Sequence, residues 1–278
     1  MNSKEINIAI IDLYNNERNE GMRCIKEIVS AQNRLINNTP ITYEVFETRY
    51  KNEIPSKDFD IYISSGGPGS PFEGEGKKWD SDYFKLLDNL WSFNQNNSDR
   101  KKYIFFICHS FQMMARYFKF AVVTERYEKS FGILPFIRTD AGKIDPVLKN
   151  LTDPFFAADF RQYHVIDPDE KIIQELGSNI LAIEDISEAK EHQQALMAVR
   201  ISNEIMGTQF HPEADTESML FHFKQDERKK QVTDKYGERR YDEMLRLLED
   251  PKATKLTRKT VLPTFLRIAI EELNMVFI

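Results

Sequence analysis

Over residues 6–117 the chain alternates short apolar runs with stretches of helical spacing, and this alternation leaves few folds open. Residues 6–11 are apolar and rich in isoleucine, as a central parallel strand requires. Further strands are expected at 41–46, 59–64 and 103–107. Between them, residues 19–33 set Met22, Ile25, Ile28 and Val29 at helical spacing, and helices are expected at 83–93 and through 112–117. Strands alternating with helices predict an α/β fold with a doubly wound, mostly parallel sheet. Such sheets bind ligands beyond the carboxyl ends of their strands. Two unusual segments fall at such ends: Gly66-Gly67-Pro68-Gly69-Ser70-Pro71 after the third run, and Cys108 after the fourth.

Residues 122–207 are strand-like but less regular, with the clearest strands at 180–183, 194–199 and 205–210. After about residue 218 the composition shifts. Residues 226–250 are highly charged with Tyr241, Met244, Leu245 and Leu248 at helical spacing, and Pro251 ends that stretch. A final amphipathic helix is expected at 261–273. This divides the chain into a domain over 1–220 and an α-helical C-terminal extension over 221–278, packed on it. The charged helix reads first as a solvated face. The apolar stripe from Thr260 to Phe277 could instead dock a partner or a second copy, which leaves a homodimer open.

A net charge of −6 argues against nucleic acid or an anionic membrane as the main partner. The first apolar run is too short for a signal peptide or a membrane span. Two cysteines, Cys24 and Cys108, make no disulfide framework and suit a reducing, cytoplasmic setting. No metal ion or cofactor is expected, and the glycine loop lacks the lysine and hydroxyl pattern of a P-loop.

Cys108 stands where a strand turns into a helix. A sharp elbow there exposes the sulfur, the helix N-terminus favours thiolate, and its backbone N–H groups can receive an oxyanion. The plainer alternative is a buried, inert cysteine, which Cys24 matches. In His211-Pro212-Glu213, proline biases His211 toward extended backbone, so His211 and Glu213 project the same way. A carboxylate beside an imidazole fixes its tautomer and stabilises its protonated form. An incidental surface ion pair is the competing reading. The glycine loop can form an oxyanion hole or an ordinary turn.

Together, in this order, the segments resemble the class I glutamine amidotransferases. Ser65-Gly66-Gly67-Pro68-Gly69-Ser70-Pro71 is similar to the family's oxyanion loop, and Ile107-Cys108-His109-Ser110-Phe111-Gln112 to its nucleophile motif. Gly207-Thr208-Gln209-Phe210-His211-Pro212-Glu213 is similar to its histidine–glutamate signature, and Arg161-Gln162-Tyr163-His164 sits where the family carries a substrate-lining segment. The resemblance spans roughly residues 5–220 and looks nearest to the amidotransferase domains of GMP synthases and their stand-alone relatives. The family usually has small residues two before and two after the nucleophile. Here these are Phe106 and Ser110, and Phe106 needs a pocket of its own.

The resemblance implies a flavodoxin-like fold and L-glutamine as substrate, with Cys108 as nucleophile, His211 as base and Glu213 orienting it. It implies oxyanion donors around Gly67, Gly69 and His109, and substrate contacts from Gln112, Tyr163 and His164. His109 reads as a pocket wall rather than a second base. A separate ATP-dependent synthetase chain would receive the ammonia. A stand-alone γ-glutamyl peptidase or hydrolase is the first rival, and a catalytically silent binding or regulatory subunit the second. A PfpI-like peptidase or deglycase is disfavoured by the adjacent His-Pro-Glu.

Overall fold

The computed structural model describes residues 5–35, 39–186, 193–250 and 253–275. Pro251 and Phe277 lie outside the described residues. The first half runs β1 (Ile6–Asp12), α1 (Gly21–Leu35), β2 (Ile41–Glu47), α2 (Thr48–Lys51), β3 (Ile61–Ser64), α3 (Lys78–Asn96), β4 (Tyr103–Ile107) and α4 (His109–Phe118). Then come β5 (Val122–Arg138), α5 (Asp140–Ile144), β6 (Phe155–Ile166), α6 (Glu170–Leu176), β7 (Asn179–Glu184), β8 (Leu196–Arg200) and β9 (Ile205–Thr208). The chain closes with α7 (Thr216–Phe223), α8 (Asp226–Tyr236), α9 (Glu238–Glu249) and α10 (Thr254–Met275).

A nine-stranded sheet has the order β2-β1-β3-β4-β9-β8-β7-β5-β6. From β2 to β9 every pairing is parallel, and from β9 to β6 every pairing is antiparallel. Alternate side chains of each parallel strand enter opposite cores, as the period of two demands. On β4, Tyr103, Phe105 and Ile107 face a core shared with α1 and α10, while Ile104 and Phe106 face one shared with α3 and α4. The long β5–β6 pair, whose limits the sequence pattern did not mark, carries a third core under α7, α8 and α9.

The C-terminal helices form the expected extension packed on the sheet, with two refinements. The charged stretch forms two helices, because Gly237 (φ 83°) breaks it between α8 and α9. The apolar stripe of α10 is not a free docking face: Val261, Leu262, Phe265, Leu266, Ala269, Ile270 and Leu273 are buried in the first core. Phe265 packs edge-on against Phe105, with centroids 5.1 Å apart. Among the described residues no helix is long and apolar enough to cross a membrane, and no acidic, histidine or cysteine cluster could hold a metal ion.

Candidate active site

β4 and β9 are parallel neighbours, so their carboxyl ends open on the same edge of the sheet. Cys108 follows β4 directly and adopts φ 50°, ψ −100°, a conformation that costs about 1–3 kcal/mol for a residue with a Cβ. Its N–H donates to the Thr208 carbonyl at 2.8 Å, and its carbonyl accepts from the Gln112 N–H at 3.1 Å. The strain is held from both sides, by the neighbouring strand and by the first turn of α4. Ser110 locks the elbow further. Its hydroxyl accepts from the Ile107 N–H at 2.8 Å and donates to the Ser64 carbonyl at 2.7 Å.

Gly207 on β9 leaves room for the Cβ of Phe106. A Cβ at position 207 would sit 3.0 Å from the Phe106 Cβ and 2.9 Å from Phe111 Cδ2. The Phe106 ring itself is buried in the core shared with α3 and α4. The departure at position 106 is therefore accommodated.

His211 and Glu213 follow β9, and an isolated bridge from His211 to Ala158 anchors them to β6. His211 Nδ1 and Glu213 Oε1 are 2.8 Å apart, with both side chains nearly or fully buried. Burial favours neutral imidazole, but the Glu213 carboxylate and the Cys108 sulfur outweigh it and hold the His211 pKa well above its usual value. The Cys108 sulfur also lies 3.7 Å from Gln209 Nε2 and 3.7 Å from the Phe160 carbonyl. Gln112 Nε2 donates to Gln209 Oε1 at 3.2 Å and to the Tyr163 carbonyl at 3.1 Å. A chain of amides thus joins Tyr163 to the sulfur.

The glycine loop approaches from β3. Gly67 packs directly on the Leu13 carbonyl, too closely for any side chain. Arg49, nearly buried, donates to the carbonyls of Leu13 at 3.0 Å and Pro68 at 2.7 Å, and pairs with Glu73. Cys108, Gln112, Gly67, Gly69, Tyr163, His211 and Glu213 all line one cleft of about 370 Å³, a size usual for small-molecule sites.

Two expected site residues keep their side chains out of the cleft lining. The His109 ring is buried and is not part of the cleft wall; burial, then Arg49 and Arg116, push its pKa down to about 3. Only its backbone N–H is available at the elbow. His164 is buried beside Arg126, and burial, then Arg126 and Arg161, lower it to about 4. It adjoins a buried ionic cluster in which Arg161 pairs with Asp159 at 2.9 Å and Glu184 at 2.8 Å.

Four residues near the site were given no role by the sequence. Gln209 lay inside a recognised motif without a role. Tyr14 lines the cleft, and its hydroxyl would lie 3.1 Å from a Cβ at Gly66, a point only 2.8 Å from His211 Cε1. Burial, then Glu213 and Cys108, keep that phenol protonated by raising its pKa well above 10. Arg49 and Arg258 act through backbone carbonyls, which leave no trace in residue spacing.

The family model for glutamine amidotransferase class-I matches residues 22–225. No curated protein sequence matches the chain. Among solved structures, SMU.1228c gives a TM-score of 0.68 at 18% identity, covering 95% of this chain and 99% of that one. A glutamine amidotransferase from Thermotoga maritima gives 0.64 at 14%, covering 96% and 98%. The glutaminase domain of Trypanosoma brucei CTPS, with bound acivicin, gives 0.55 at 13%, covering 83% and 94%. At these identities the likeness is one of fold.

Proposed function

The chain belongs to the class-I glutamine amidotransferase family, and from that premise we propose that it hydrolyses the side-chain amide of L-glutamine to glutamate and ammonia. Cys108 attacks the amide carbon after its proton passes to His211. The His211 imidazolium, held by Glu213, then protonates the departing nitrogen as the C–N bond breaks. Neutral His211 next takes a proton from water, which attacks the thioester and releases glutamate. Backbone N–H groups at Gly67 and His109 stabilise the oxyanion, a donor of this kind being worth about 3 kcal/mol. Gln112 and Tyr163 contact the amino-acid end of the substrate. The ammonia would pass to a separate ATP-dependent synthetase in the cytoplasm.

The observation that carries this reading is the strained Cys108 elbow opening on the same cleft as the 2.8 Å His211–Glu213 pair. The test is glutamate and ammonia release from L-glutamine, with Cys108→Ala as control. Acivicin, bound in the Trypanosoma domain, serves as an independent γ-glutamyl electrophile for Cys108. Release that disappears in the variant supports the proposal. No release and no labelling would leave a non-catalytic subunit. Hydrolysis of γ-glutamyl compounds by the same triad is the second reading, favoured by a cleft that continues past the triad to α8.

A further inference from the structure

The outer wall of the cleft is assembled from parts distant in sequence: Arg18 after β1, Lys129 from β5, His222 from α7, and Arg228 and Gln231 from α8. α8 begins just beyond the last residue matched by the family model. Lys129 reaches the rim because the step from Glu125 to Ser130 on β5 faces only the step from Tyr163 to Arg161 on β6, and the extra residues bulge outward.

The charges at this rim do not cancel. Arg18, Lys129 and Arg228 make no ion pair among the described residues. Neutral groups hold the two guanidinium groups. Arg228 lies 5.4 Å from the Phe131 ring centroid and donates to Gln231 Oε1 at 3.0 Å, while Arg18 lies 5.2 Å from the Phe221 ring centroid. Of the carboxylates lining this part of the cleft, Glu20 pairs with Arg23 at 2.6 Å, a cation it shares with Glu27 and Asp215, and Glu17 makes no ion pair among the described residues, so three cations face two carboxylates. Ammonia, the amine half of L-glutamine, carries nothing these cations would bind.

We infer that the outer cleft is a subsite for the amine half of a γ-glutamyl amide, and that this half bears a carboxylate, as in a γ-glutamyl amino acid or peptide. The inference rests on the thiol chemistry proposed above. The γ-glutamyl carbonyl sits at Cys108, and the carboxylate of the amine half meets Arg228, Lys129 and Arg18. The thiolate forms the S–C bond as the C–N bond breaks, and His211 gives its proton to the leaving nitrogen. Water then hydrolyses the thioester, so one water converts the amide into glutamate and a free amino acid or peptide.

The experiment compares γ-glutamylglycine with γ-glutamylglycinamide, which differ only in that carboxylate. The wild-type protein is expected to prefer the acid in kcat/KM by about tenfold, and less at high salt, because the rim cations are partly screened. The double variant Arg228→Gln, Lys129→Gln should bring the ratio for the two substrates close to one. A wild-type ratio near one overturns the subsite, as does cleavage of L-glutamine with neither peptide touched; both leave the glutaminase reading standing. If no substrate turns over, calorimetry on Cys108→Ala decides: tighter binding of the acid supports the subsite, and equal or absent binding overturns it. Acivicin labelling of Cys108 reports on the triad separately.

Discussion

Arg258, on α10, donates a hydrogen bond to the main-chain carbonyl of Glu213. The last helix of the chain therefore grips the loop that carries the proposed acid member of the triad. The same guanidinium pairs with Glu27 at 2.9 Å and lies 3.7 Å from Asp215, which Arg23 holds at 3.1 Å. Helices α1 and α10 thus clamp residues 213–215 between them.

Removing this clamp is expected to loosen Glu213 without touching substrate. Arg258→Ala should lower kcat by about 10- to 100-fold, since small misplacements of catalytic groups cost that much. KM should change little. Arg258→Lys should restore part of kcat. Steady-state kinetics beside circular dichroism check this, and a change confined to KM would contradict it.

The pH profile should report the His211–Glu213 pair. His211 has a raised pKa, so its imidazolium persists through neutral pH and is lost as pH rises through the folded-state value. The alkaline limb of kcat/KM should lie well above the ordinary histidine range. In Glu213→Gln the main favourable charge is gone, so the proton leaves at lower pH. The alkaline limb should move down by about one unit or more, with a lower plateau. An unmoved limb would show that Glu213 does not set the imidazole charge.

Much of the parallel half was legible because β1, β3 and β4 are short, apolar and mostly buried, and β3 and β4 end at the glycine loop and at Cys108. Backbone geometry made Cys108 and His211-Pro212-Glu213 modest signals, and the order of the motifs along the chain, resembling a known family, singled them out. The antiparallel half was harder. β5 is long, bulged and partly exposed, so its alternation is broken where Lys129 swings out. His109 illustrates another limit: adjacency to the nucleophile suggests a pocket wall, yet a residue one step along a helix turns about 100° away and into the core. That α10 packs on the domain was legible in its apolar stripe, but the core it enters was not, because that core is built jointly by the sheet, α1 and α10.

Acid should weaken the fold through its buried histidines. The pKa values of His109 and His164 are depressed by burial to about 3 and about 4. Below the unfolded value of about 6.5 the unfolded chain binds protons that the native state refuses. Stability should therefore fall as pH drops from about 6.5 toward 4. His109→Leu should flatten this slope, read as Tm against pH. An equal slope in the variant would mean that other groups control acid unfolding.

The elbow makes its own test. Ser110→Ala removes the hydroxyl that pairs with the Ile107 N–H and the Ser64 carbonyl, both buried. Leaving those groups unpaired should cost about 1–3 kcal/mol. Gly207→Ala pushes a methyl against Phe106 and Phe111 and should cost a similar amount, about 1–3 kcal/mol, by overpacking. Ser110→Ala removes a hydroxyl that locks the positive-φ elbow at Cys108, and Gly207→Ala crowds Phe106 and Phe111 on either side of it. If that strained backbone is what aims the sulfur, each variant should lose kcat by about tenfold or more under conditions where it remains folded. Pairing Gly207→Ala with Phe111→Ala removes the nearest contact, Phe111 Cδ2 at 2.9 Å, so the double variant should recover activity relative to Gly207→Ala alone. Urea midpoints and kcat, measured on the same preparations, separate the two effects, and a loss of stability with kcat unchanged would show that the elbow's packing does not tune the nucleophile.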